Sequence, residues 1–183
     1  MELNPLTALS PIDGRYARQT DALRDIFSEC AFMNARVRVE VEWLISLSEA
    51  GFAELPHLSD HGKAFLRGLA DNFSLADCEA IKEIEKTTNH DVKAVEYWIK
   101  NQVAHDEELK SASEFVHFSC TSEDINNTSH AIMLKRGREA LADYLQQIHD
   151  TIAGFAHQWA EIPMLSRTHG QTASPTTVGK EFR

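Results

Sequence analysis

An all-α fold is expected, with an N-terminal helical domain followed by the start of a long-helix bundle. Three observations predict it. Apolar residues recur three or four apart along most of the 183 residues. No proline falls between Ser122 and Ala160, and that stretch carries a near-heptad apolar seam. Short clusters rich in Ser, Thr, Asn and Asp stand where helices would begin.

Residues 1–19 read as an irregular arm, punctuated by Pro5, Pro11 and the DGRY turn from Asp13 to Tyr16. A helix is expected from Asp21 to Ala50, with Thr20 as its cap and Gly51 just past its end. Its stripe is Leu23, Ile26, Phe27, Cys30, Met33, Val37, Val41, Leu44 and Leu47. Further helices are expected from Ser59, from Ser74, and through DVKAVEYWIKNQV, with the polar TTNHD stretch (Thr87 to Asp91) between the last two. A short helix is expected over Ser113 to Phe118. The long helix from Ser122 carries its near-heptad seam through Leu134, Leu141, Leu145, Ile148, Ile152, Phe155 and Trp159. At 1.5 Å per residue it spans roughly 55–60 Å, which suits an elongated bundle. Pro163 ends it, a loop containing SRTHGQ follows, and Pro175 suits the first turn of another helix. The expected domains are 1–111 and 112–183.

Composition excludes several classes. With 43% hydrophobic and 25% charged residues, the chain is ordinary for a globular protein. A formal charge of −10 argues against a nucleic-acid partner, which needs a basic face. No run approaches the ~20 apolar residues of a membrane span, and MELNPLTALSP is not a secretory leader. Cys30, Cys78 and Cys120 are far apart and read as reduced, packed thiols of a cytosolic protein. His117 and His130 flank CTSEDINN, but no paired His or Cys spacing supports a metal site, and no metal is expected. A serine nucleophile elbow and a glycine-rich phosphate fingerprint are both missing from the sequence.

Chemistry concentrates in three polar clusters: TTNHD, CTSEDINN (Cys120 to Asn127) and SRTHGQ (Ser166 to Gln171). Free backbone N–H groups at helix starts attract anions, and hydroxyls add donors. Helix capping explains Thr121 or Ser122, and equally Asn89 and Asp91, without any ligand. His169 stands apart. Gly170 beside it permits close backbone approach, and an imidazole exchanges protons near neutrality. Arg15 and Tyr16, on the DGRY turn, offer a guanidinium fork and a phenol to an anionic ligand.

Four strings together resemble the adenylosuccinate lyases, a branch of the fumarase/aspartase superfamily, in their bacterial long form. They are LSPIDGRY, KTTNHDVKAVEY, HFSCTSEDINN, and LSRTHGQ followed by SPTTVGKE, in family order and at family-like spacing. The resemblance implies a cofactor-free β-elimination in purine nucleotide biosynthesis. Adenylosuccinate would be cleaved to AMP and fumarate, and its carboxamide ribotide counterpart SAICAR to AICAR and fumarate. His169 would be the general acid. Arg15, Tyr16, Asn89, His90 and Asp91 would lie at the nucleotide substrate, Thr121 and Ser122 at its succinyl carboxylates, and Thr168 and Gln171 beside the acid. The full-length enzyme would be a cytoplasmic homotetramer with each site built from three subunits. Thr172 departs from the family, where proline is common. The mobile loop that supplies the family's general base is not in the chain. The expectation is therefore an N-terminal fragment, cut inside a helix at GKEFR and inactive alone. Two other readings stay open: a different fumarate-releasing lyase of the superfamily, or a non-catalytic helical assembly module.

Overall fold

The computed structural model describes residues 6–52 and 54–183. Pro5, expected to open the irregular arm, lies outside them. The all-α expectation holds, with one small two-stranded sheet added. Packing divides the chain into two compact units, one running to Gly137 and one from Arg138 to Arg183.

In the first unit the arm is turn-rich. Tyr16 N–H donates to the Pro11 carbonyl (2.8 Å) and Gly14 N–H to that of Ser10 (3.0 Å). A 3₁₀ turn, Ala17–Leu23, leads into the one-turn helix α1 (Arg24–Phe27) and then α2 (Glu29–Glu49). The helix expected without interruption from Asp21 is thus broken. Ser28 takes an extended conformation and its hydroxyl accepts from Ala31 N–H at 3.2 Å, so Ser28 rather than Thr20 caps the main helix. At the other end Gly51 adopts φ +67, the left-handed geometry of a helix stop.

The helices α3 (Asp60–Asp71) and α4 (Leu75–Thr88) begin after Ser59 and Ser74, as the sequence indicates. Each start is tied down. Ser59 Oγ accepts from Gly62 N–H (3.1 Å), and Ser74 N–H donates to the Asp77 carboxylate (2.8 Å). Next come α5 (Asp91–Val103) and α6 (Glu107–Ala112), then a single 3₁₀ turn over Ser113–Phe115 in place of the longer helix expected there. Met33, Val37, Val41, Leu44 and Ile45 of α2 meet Leu66, Ile81, Val95, Trp98, Ile99 and Leu109 in one continuous core. Full burial of side chains this size is worth about 1.5–3 kcal/mol each.

Cys30 and Cys78 are not separate thiols. They sit in the first turns of α2 and α4, their Cα atoms are 5.6 Å apart, and they are joined as a disulfide. Their separation of 48 residues hides in sequence a proximity that helix packing creates. Cys120 is free, and burial pushes its thiol pKa up.

The helix α7 (Ser122–Gln158) runs for 37 residues, close to the expected span. In the second unit its seam residues Leu141, Leu145, Ile148 and Ile152 are exposed. Beyond it the sequence reading needs correction. SRTHGQ is not an open loop and Pro175 does not start a helix. Strands β1 (Pro163–Thr168) and β2 (Gln171–Thr177) form an antiparallel hairpin, with Pro175 opposite Leu165. A proline fits here because a two-stranded sheet is all edge. The final 3₁₀ turn, Gly179–Phe182, packs Phe182 against Phe155 (5.6 Å) and Trp159 (5.3 Å). Gly179 is there because a Cβ would lie 2.6 Å from the Ala160 backbone nitrogen.

The disulfide yields a stability prediction. Closing a loop of this length removes about 4 kcal/mol of chain entropy from the unfolded state. Cys30→Ser should lower the unfolding free energy by up to that amount in oxidising buffer. With a thiol reductant present, wild type and variant should unfold at matching urea concentrations.

Candidate functional site

Two of the three polar clusters meet in the first unit. Asn89 ends α4 in left-handed geometry (φ 49), which turns the chain directly into α5. His90 is the N-cap of α5: its Nδ1 accepts from Lys93 N–H at 3.2 Å. In the neutral ring the proton therefore sits on Nε2, and Nε2 lies 3.4 Å from Ser122 Oγ at the start of α7. Asp91 opens α5. Its Oδ1 accepts from Val92 N–H (2.9 Å) and its Oδ2 from Arg36 Nη2 (2.5 Å). Burial works against ionisation of Asp91, but the Val92 N–H and the Arg36 guanidinium outweigh it and hold the carboxyl below the usual range.

Thr121 caps α7 reciprocally. Its N–H (2.7 Å) and hydroxyl (2.8 Å) both donate to Asp124 Oδ2. Those two donors keep the Asp124 carboxyl below its ordinary value. The capping reading thus holds for Thr121, whereas the N-cap of α5 is His90 rather than Asp91, and Asn89 closes α4 as its C-cap. Thr121 is exposed and Ser122 half-buried; with both Thr121 donors engaged by Asp124, the Ser122 hydroxyl and the first-turn N–H groups are what this helix N-terminus can offer a ligand.

The approach to that terminus is pinned from α2. His117 Nδ1 is 2.5 Å from Glu40 Oε1, and Glu40 is 1% exposed. Trp43 Nε1–H donates to the Phe118 carbonyl (2.8 Å). His117 (φ 63) and Ser119 (φ 60) both occupy the left-handed region, which non-glycine residues adopt only when surroundings hold them there. The Glu40 hydrogen bond raises the His117 pKa against the opposing effect of burial. Glu96, Lys93 and Asp124 are the other charged groups facing it.

In the second unit His169 and Gly170 are the two central residues of the β1–β2 turn, with φ 50 and 72. Positive φ at both defines a type I′ hairpin turn. Thr168 and Gln171 pair directly across it, and all four residues are exposed. Arg15 and Tyr16, on the arm of the first unit, are exposed as well, with the guanidinium 5.4 Å from the Tyr16 ring centroid. The sequence reading missed Arg36, Glu40 and Asn126. The signal was present: Arg36 and Glu40 are charges four apart within the apolar stripe of α2.

The helical architecture is one seen before. A fumarate lyase from Mesorhizobium sp. BNC1 shares the fold, with a TM-score of 0.69 and 20% identity over 88% of this chain and 36% of that one. So does 3-carboxy-cis,cis-muconate lactonizing enzyme from Pseudomonas putida (TM-score 0.65, 22% identity, 88% and 35%). A family profile described as lyase matches residues 14–183, so the chain belongs to that lyase family. Curated relatives named adenylosuccinate lyase match the whole chain. Those from Haemophilus influenzae, Vibrio cholerae and Escherichia coli K12 are 55%, 54% and 52% identical. The chain spans 40% of their length. Among the described residues no helix is long and apolar enough to cross a membrane.

The Glu40–His117 pair makes the first unit pH-sensitive with a defined sign. A histidine whose folded pKa is raised contributes stability that is complete below its unfolded value, about 6.5, and is lost as pH rises through the folded value. Between pH 6 and 8, urea unfolding should show wild type losing stability relative to His117→Gln, whose amide does not titrate. His117→Ala, which strands the Glu40 charge, should cost about 3 kcal/mol at pH 6.

Proposed function

We propose that this chain is the N-terminal part of an adenylosuccinate lyase, which cleaves adenylosuccinate to AMP and fumarate and SAICAR to AICAR and fumarate. The observation that carries the reading is the presence of four motif strings in family order within a chain 54% identical, over its full length, to the Vibrio cholerae enzyme of that name. In the elimination a C–H bond adjacent to a carboxylate and the C–N bond both break. A carbon–carbon double bond forms, and the amine nitrogen takes a proton.

His169 is the proton donor to the departing nitrogen. An imidazole can both give and take a proton, and the place of His169 on a two-residue turn presents it at a tip rather than within a core. Thr121 and Ser122, with the free N–H groups of the first turn of α7, hold the succinyl carboxylates where charge builds during proton loss. Asn89, His90 and Asp91 orient the substrate, with the Nε2 proton of His90 steadying Ser122. Arg15 and Tyr16 close over the nucleotide, and Thr168 and Gln171 flank the acid. The reaction needs no cofactor. The general base lies in sequence beyond this chain, and the complete site is assembled from several copies in a homotetramer. The exposed apolar seam of α7 supports such an assembly, because long apolar faces on helices are normally covered. Residues 112–183 begin the shared bundle.

A graft tests this. The first two-fifths of the Escherichia coli enzyme are replaced by this chain, and fumarate release from adenylosuccinate is followed. The graft should turn over, and His169→Gln in it should lower kcat by roughly 10²–10⁴ with the fold intact. The 183-residue chain alone should release no fumarate. A folded graft without activity, or a fully active His169→Gln graft, would contradict the assignment.

A further inference from the structure

Arg36 has no place in the catalytic scheme above, yet it is buried and held on several sides. It is 4% exposed. Nη2 donates to Asp91 Oδ2 at 2.5 Å and Nε to Asn126 Oδ1 at 2.9 Å. The guanidinium carbon lies 3.9 Å from the Phe32 ring centroid, and Phe32 stacks on His130 of α7 at 4.5 Å. Asn126 Nδ2 in turn donates to Glu123 Oε1 in the first turn of α7 (3.0 Å). One side chain from α2 thus grips the first residue of α5 and the second turn of α7.

A buried ion pair is weak evidence for stability, since a well-packed apolar substitute often does as well. What an apolar residue cannot do is fix the direction and distance of two partners at once. The rigid, planar fork of arginine does that, and lysine does not. The two partners belong to the two helix starts that the lyase reading assigns to the substrate.

We infer that Arg36 is a positioning residue: it sets Asp91 and the Thr121–Ser122 helix start at the spacing the substrate requires, without touching the substrate itself. The inference rests on the lyase reading. A misplaced helix start weakens capture of the substrate more than it weakens proton transfer from His169, so the loss should fall on KM.

Two measurements test it. In the active graft, Arg36→Gln removes the hydrogen bonds to both Asp91 and Asn126 and should raise KM about tenfold or more, while kcat stays within about threefold. Added methylguanidinium should restore part of the affinity. Asp91→Asn alone should raise KM similarly, and the double variant should be no worse than the more damaged single variant, because both remove one linkage. In the 183-residue chain, amide exchange at Val92 and Lys93 should accelerate in Arg36→Gln. Should that variant fail to fold, Arg36→Lys, which keeps charge but loses the fork, should give an intermediate KM. An unchanged KM, additive effects of the two substitutions, or unaltered exchange at Val92 and Lys93 would overturn the inference while leaving the lyase reading in place. A wild-type graft that releases no fumarate would instead sink that reading, and this inference with it.

Discussion

Two opposite charges buried four residues apart on α2, Arg36 and Glu40, govern the arrangement of everything around them. Taking either out of water is costly unless a partner meets it. The partners found for both lie outside α2. Arg36 draws Asp91 from the start of α5 and Asn126 from α7, and Glu40 draws His117 from the connection that precedes α7. Neutralising these two charges in the core therefore ties the starts of α5 and α7 to α2, while local caps decide at which residue each helix begins. Hydrophobic burial alone would hold these helices together and leave their ends free to slide. The strained backbone at His117 and Ser119 is understandable on the same terms, since the Glu40 and Trp43 contacts hold the connection from both sides.

Capping does not exclude ligand binding at these helix starts. Thr121 and Asp124 satisfy each other, His90 satisfies Lys93 N–H, and Asp91 satisfies Val92 N–H. Each cap rigidifies a turn whose other N–H groups and hydroxyls stay available to an anion. A donor held in place before the substrate arrives needs no reorganisation during reaction, which is the condition for electrostatic stabilisation of developing charge. The cap of α5 also fixes the tautomer of His90, and through it which atom faces Ser122.

Much of the fold was legible in the sequence because caps and stops are local. Ser59, Ser74, Gly51 and the proline-free run from Ser122 announced their helices through chemistry within four residues of each end. Features that depend on distant partners were not. The break at Ser28 was masked by an apolar stripe that continues through it. The Cys30–Cys78 disulfide exists only because two helices pack, and α6 is too short to show periodicity. The hairpin was overlooked for a different reason. His-Gly between two runs of Thr, Ser and Leu is a turn signal, but Pro175 drew the reading toward a helix start. Of the candidate site, the polar clusters are visible in the sequence. Their anchors could not, because a charge within a helix stripe reveals its role only once its partners, 55 and 90 residues away, are in view.

What unites these pieces is the claim that helix starts from the first unit and the hairpin histidine of the second serve a single substrate, contributed by different copies of the chain. The most direct measurement is a crystal structure of the assembled full-length enzyme with AMP and fumarate bound. The account predicts Ser122, Asp91 and His169 within hydrogen-bond reach of the ligands, about 3 Å, with His169 facing the nucleotide amine. A His169 ring turned away from the ligand in every copy, or fumarate held elsewhere than at the start of α7, would contradict it.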